Sequence, residues 1–353
     1  MAEKIYTAKE RAEMFALATR QNLQMLAKQT ANGGATTLSF NLPKARLLSK
    51  ILVKVKANVT VMHDSLTEIP VDVFRPYKLV RRWSLDLNNG FTPFVVSGEE
   101  LAMFNMLHMN GKSVYGNEGK EGYTKASKLT ASVSGVENEI VFTCELPVTL
   151  NDRDPIGLIL LQNDQTNVHL VCDIANDSDF VSDVSGANAK INSIEITPML
   201  ETFSIPSNAN AMPDLSILKL VTGRTDSMPS SGQQIVKLST GNIYRRIIFK
   251  VVDENEVPFT NDDFLSSIDL VFNQADVNYA ISADMLKALN ERMYGYTLPN
   301  GMYVFDFAYN GLVGLSGTRD YIDTENLTEM WLRFNTGKKG KVEIVTETLS
   351  RLV

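Results

Sequence analysis

"SKILVKVKANV", residues 49–59, returns 196 positions further on as "RRIIFKVVDEN", residues 245–255. Lys50 answers Arg246, Lys54 answers Lys250, and branched apolar residues fill the places between. One such match between Val- and Ile-rich strands means little, so the flanking chain decides whether a unit was made twice. In the first half "SGEELAMFNMLHM" (97–109) has Ser97 as N-cap and Glu100 at the third helical position, a capping box. In the second half "SADMLKALNERM" (282–293) is again a helix opened by Ser and an early acid. The order continues with "EIVFTCEL" (139–146) against "MYVFDFAY" (302–309) and "TNVHLVCDI" (166–174) against "TEMWLRFNT" (328–336). It closes with "INSIEITPMLETF" (191–203) against "KVEIVTETLSRL" (341–352). Five collinear elements mark a duplication, with the opening stretch as the second strand of each unit.

Short Val-, Ile- and Thr-rich runs separated by Gly, Asn, Asp and Pro turns are the pattern of antiparallel sandwiches. About eight short strands with long connections in each unit suit a jelly roll better than a meander or a propeller blade. The expected fold is therefore all-β, a double jelly roll with one short helix per roll and an α-helix in front. Its parts are an N-terminal helix with a Gly-Gly hinge over 1–34, a first roll over 35–205 and a second over 206–353. The join falls near "SIPSNANAMPD" (204–214), where Pro206 and Pro213 bracket small polar residues.

The leading helix is expected from Thr7 to the "NGG" stop at 32–34, because no Gly or Pro interrupts it and Thr7 with Glu10 forms a capping box. At ~100° per residue Met14, Phe15, Ala18, Met25 and Leu26 share one side, with Lys9, Glu13, Arg20, Gln24 and Lys28 opposite. Arg11 and Asn22 break the apolar side. The two units differ most between Met109 and Val141, where "NGKSVYGNEGKEGYTK" is inserted. Its glycines and mixed charge suit an exposed outward loop, with Lys112, Tyr115, Lys120 and Tyr123 as its candidate contact residues.

The 353 residues are 44% hydrophobic and 21% charged, a globular composition. No apolar run nears the ~20 residues of a membrane span, and the charged N-terminus does not read as a signal peptide. Two cysteines, Cys144 and Cys172, make no disulfide framework and fit a reducing site of synthesis as buried thiols. A net charge of −7 argues against direct nucleic-acid binding. Residues 1–30 carry +2, five basic against three acidic, which leaves −9 on the remainder, so the two ends are suited to different surroundings.

Chemistry is sought and not found. A metal-binding double barrel needs clustered histidines, and His63, His108 and His169 form no such pair. "NGKS" (110–113) lacks the earlier Gly of a phosphate loop, since Met106 stands there. "GLSG" (314–317) lacks the last Gly of a nucleophile elbow, since Thr318 follows Ser316. "GNEGKEG" has no strand-to-helix context for a dinucleotide. Asp173, Asp177, Asp179 and Asp183 miss the calcium-loop register, with Ser182 and Asn188 at the positions that need Gly and Glu. No catalytic residue, metal or cofactor is expected.

With the entry helix, the repeat and the closing "GTRDYIDTENLTEMWLRF…GKVEIVTETLSRL" placed, the whole chain resembles the major capsid proteins of tectiviruses, membrane-containing icosahedral phages, most closely those infecting Bacillus-type hosts. That resemblance implies a homotrimer whose six jelly rolls form a pseudo-hexagonal capsomer. Such capsomers would tile a shell over an internal membrane beside neighbouring capsomers and a vertex protein. It implies a virion location after synthesis in a host cytoplasm. It also places the N-terminal helix towards the membrane or a neighbouring subunit, with Lys9, Arg20 and Lys28 facing anionic headgroups. The opposing reading is a glycan-binding or adhesive sandwich using Trp83, Trp331 or Tyr123 to stack on sugars.

Overall fold

The computed structural model describes residues 6–70, 73–87, 91–108, 128–150, 155–162, 167–182, 184–309 and 321–351. The described chain falls into two compact units, one running to Leu220 and the other from Val221 to Ser350.

The first unit opens with helix α1 (Ala8–Ala18) and strands β1 (Gln21–Met25), β2 (Gln29–Ala31), β3 (Thr37–Asn41) and β4 (Leu47–His63). It continues with β5 (Glu68–Pro70), β6 (Val80–Leu87), β7 (Phe91–Val96), helix α2 (Gly98–His108) and β8 (Lys128–Thr130). It closes with β9 (Val136–Pro147), β10 (Ile159–Leu160), β11 (Val168–Ile174) and β12 (Ala187–Phe203). One sheet runs β1 and β2, then β12, β4 and β9; the other runs β3, β11, β6, β7. Among the described residues β5 and β8 pair with each other alone, and β10 lies beside the start of β4.

The second unit has β13 (Ile217–Met228), which starts at the junction, then β14 (Gly232–Leu238), β15 (Ile243–Asp253), β16 (Ile268–Phe272) and β17 (Asp276–Ile281). Helix α3 (Ala283–Tyr294), β18 (Met302–Asp306), β19 (Ile322–Asp323), β20 (Met330–Thr336) and β21 (Gly340–Arg351) follow. Its sheets run β13, β21, β15, β18 and β14, β20, β16, β17. If β1 and β2 count as one strand and the short pairs are set aside, each unit has eight strands. In both, the orders are first-eighth-third-sixth and second-seventh-fourth-fifth. That order is the jelly roll.

The leading segment corrects the expected helix. α1 ends at Ala18, where Thr19 turns extended and both its N–H and its hydroxyl donate to the Phe15 carbonyl, at 3.0 and 2.7 Å. Gln21–Met25 and Gln29–Ala31 are strands, bonded to Met199–Phe203 and Ile194–Ile196 of β12. Helix propensity is a weak prior, and a segment without a continuous apolar stripe gains more from completing a sheet. Arg20 and Lys28 therefore do not lie on the helix that carries Lys9, and residues 49–59 belong to the third strand of the roll. The Gly-Gly pair is a fixed turn rather than a swivel. Gly33 sits at φ 108°, and a Cβ on Gly34 would stand 2.7 Å from the Ala175 carbonyl oxygen, which accepts from the Ala35 N–H.

The cores follow the period of two expected of half-buried strands. On β4, Ile51, Val53, Val55, Ala57, Val59 and Val61 are fully buried, the first three beside Leu146, Cys144 and Phe142 of β9, which are buried too. In the second unit Phe249, Tyr303, Phe305, Phe264 and Phe334 form an aromatic cluster with Leu270 and Leu332. Phe249 stacks on Tyr303 at 5.5 Å, and Phe264 meets Phe334 edge-on at 5.7 Å.

The duplication extends to individual side chains. Asn105, eight residues after Ser97, accepts the Glu145 N–H (2.7 Å) and donates to the Glu145 carbonyl (2.8 Å). Asn290, eight residues after Ser282, does the same to Val304, at 3.0 and 2.8 Å. Glu145 faces Leu52, and Val304 faces Ile248, the same 196-residue step as the opening repeat. Each helix thus holds the free edge of the sixth strand through one buried amide. Replacing Asn290 or Asn105 by Ala strands a buried N–H and a buried carbonyl, each costing about 1–3 kcal/mol. Denaturant titration should therefore show either variant losing about 2–5 kcal/mol, against less than about 0.5 kcal/mol for exposed Asn255→Ala; equal, small losses would contradict the clamp.

Candidate assembly surface

α1 is closed at its start by the expected capping box, with Thr7 N–H to Glu10 Oε2 at 2.9 Å and Glu10 N–H to Thr7 Oγ1 at 3.2 Å. It is fastened to the first unit by Phe15. That ring is buried against Leu47 and Leu158, with Leu160, Phe203, Met212 and Leu215 around them. Its edge meets the Phe203 ring at 5.5 Å and 73°. Leu17 is 90% exposed, and Leu23 and Met25 on β1 are 58% and 68% exposed. Arg20, between them, is exposed, while its N–H donates to Ser204 Oγ at 2.9 Å. Lys28 pairs with Glu195 of β12 at 2.7 Å, an exposed contact worth at most about 1 kcal/mol. The segment to Lys28 therefore offers apolar side chains and cations together, on a helix end and a sheet edge rather than on one helical face.

Inside the rolls the charges are arranged for cohesion. Lys50 lies 3.1 Å from Glu145 and 3.6 Å from Glu201, one carboxylate on each neighbouring strand. Arg246, its counterpart, lies 2.8 Å from Asp306 and 2.5 Å from Glu347. Burial alone would favour the neutral guanidine, but Glu347 and Asp306 outweigh it and keep Arg246 charged. Tyr294 donates to the same Asp306 at 2.6 Å, and burial followed by that carboxylate pushes its phenol well above the ordinary range.

The residues weighed for chemistry have structural tasks. His63 is buried at the end of β4, where Nδ1 accepts the N–H groups of Ser65 (3.1 Å) and Leu66 (3.0 Å) and Nε2 donates to the Ser185 carbonyl at 3.1 Å. His108 packs on Phe104 at 4.3 Å. His169 and Cys172 fall on opposite faces of β11, as the alternation requires. Cys144 and Cys172 are free and buried, and burial raises both thiols. Asp173 accepts from Thr37, Asp177 from the Ile191 N–H, and Asp179 caps Asn176. Among the described residues no three His, Cys, Asp or Glu side chains gather as a metal-holding group. Trp83 is fully buried, so it offers no face to a sugar; Trp331 is half-buried beneath Lys237 Nζ at 5.9 Å. Lys112, Tyr115, Lys120, Tyr123, Asp183 and Ser316 lie outside the described residues. The sheet edge at β1 was not anticipated; its only sequence sign is the two-residue spacing of Leu23 and Met25.

No family model and no curated protein matches the sequence. Solved structures do match. The major capsid protein of Sulfolobus turreted icosahedral virus superposes with a TM-score of 0.66 at 17% identity, over 94% of this chain and 97% of that one. The major capsid protein of bacteriophage PM2 gives 0.58 at 10%, over 94% and 98%. That of Faustovirus gives 0.63 at 10%, over 99% and 91%. At these identities the likeness establishes the fold, a double jelly roll.

The Phe15 anchor makes a separate statement about α1. Phe15→Ala should cost the docked helix about 3 kcal/mol, on the order of 100-fold in its docked fraction. Trypsin cleavage at Arg11 and Arg20 should then accelerate while the body of the chain stays intact. Unchanged cleavage would mean that the helix is held by something other than this ring.

Proposed function

We propose that this chain is the major capsid protein of an icosahedral virus, with a structural role and no reaction of its own. The observation that carries the reading is that two rolls of identical strand order make up most of the described chain. Three viral major capsid proteins match that arrangement along nearly their whole lengths. Such a body offers what a tile needs: two rigid sandwiches whose polar interior groups are spent on cohesion.

On this reading three copies form a trimer, and the six rolls of the trimer give a pseudo-hexagonal capsomer. Capsomers meet one another and a separate vertex protein in the virion shell, and the chain is made in the host cytoplasm. The resemblance to tectivirus capsid proteins adds an internal membrane beneath the shell. The exposed cation Arg20, with Lys9 on α1 and Lys28 on the sheet edge, supports an inward-facing N-terminal segment, each cation near an anionic surface contributing about 1 kcal/mol. An outward loop at 111–125 is part of the same proposal.

Light scattering after size exclusion tests it. The purified chain should elute with three times its 39.2 kDa mass and hold that mass on dilution through the micromolar range. A single-chain mass at every concentration would overturn the capsomer.

A further inference from the structure

Among the described strands of five or more residues, only β1 and β17 bury none of their side chains. Each has a single hydrogen-bonded side, β1 against β12 and β17 against β16. An edge strand that leaves apolar residues exposed is a liability unless something covers it. The exposed apolar residues are Leu23 and Met25 on β1 and Val277, 44% exposed, on β17, whose Tyr279 and Ile281 pack against the core of their own unit.

The duplication sharpens this. β1 is the first strand of its roll and β13 is the first strand of the other; β17 and β7 are both fifth strands. β13 and β7 have buried side chains, including Leu218 and Val221 on the one and Phe94 and Val96 on the other. The same two positions in one sequence repeat thus bury side chains fully once and leave apolar side chains exposed once. The exposed pair is complementary, one first strand and one fifth strand, one in each unit. Exposed Arg20 precedes β1, whereas β17 begins with exposed Asp276, so these strand starts carry opposite charge.

We infer that β17 of one copy lies alongside β1 of a second copy of this chain, each adding a strand to the other's sheet. Strand addition gives affinity through main-chain hydrogen bonds, and side chains set the partner. Because the two edges differ, the contact is head-to-tail and generates a ring when the rotation closes. The inference rests on the capsomer reading, in which that ring closes at three copies.

The test uses cysteines at the middle of each strand, which approach in either strand direction. The native thiols are buried, so a short bismaleimide added to Leu23→Cys/Asn278→Cys should join chains in twos and threes and no further. Leu23→Cys alone or Asn278→Cys alone should stay single on a denaturing gel. In a separate variant, Leu23→Lys/Met25→Lys should raise the concentration at which the oligomer dissociates by at least about tenfold. A trimer that neither cross-links in the double variant nor weakens with the lysines would overturn this contact and leave the capsomer standing. Cross-linking by Leu23→Cys alone would overturn it in favour of a two-fold contact. A Leu23→Lys/Met25→Lys trimer of full strength whose affinity for anionic vesicles has changed would overturn it in favour of lipid. A native monomer would instead remove the capsomer itself.

Discussion

Each half of this protein depends on a third strand that has neighbours on both sides and a cation near one end held between two carboxylates. In the first unit that strand is β4 with Lys50; in the second it is β15 with Arg246. Taking a charge partly out of water costs free energy unless it is paired and hydrogen-bonded, so the arrangement favours the register in which both flanking strands supply their carboxylates. Glu201 and Glu347 stand directly opposite their cations, whereas the second carboxylate is Glu145 in one unit and Asp306, two residues further along its strand, in the other. A one-residue slip of either neighbour would turn its carboxylate to the other face and take away one of the cation's two partners. The triad therefore fixes the register of the sheet from which the rest of each roll is hung.

The helices complete the constraint from outside. A sixth strand at a sheet edge would leave main-chain groups without partners, and one amide on α2 or α3 satisfies two of them. The Ser N-cap and the Asn eight residues later set how far the helix runs before it meets the strand. Position on the helix and position on the strand are therefore fixed by the same pair of hydrogen bonds.

Much of this was legible in the sequence, because Lys50 and Arg246, the two helix caps and the order of later strands are local features. The Ser-to-Asn spacing was legible too and would have aligned the sixth strands. Without it, Val- and Phe-rich strands match at any even shift, and residues 139–146 fell opposite 302–309, four positions from the pairing that the clamps define. Residues 21–31 misled for a different reason. Their strand form depends on Met199–Phe203 and Ile194–Ile196, more than 160 residues away, and nothing local in "QNLQMLAKQTA" outweighs its freedom from Gly and Pro. The candidate surface was half legible: the cations could be named, but not that Arg20 and Lys28 border an uncovered sheet edge. Burial on neither face is a property of the fold, and no residue type announces it.

The central claim is that one roll, made twice, supplies two of the six walls of a closed tile. Electron-microscope projection averages of the purified oligomer test this most directly. The account predicts particles with a three-fold axis and a six-lobed outline, each chain contributing two lobes. A two-fold particle, or three undivided lobes, would contradict it.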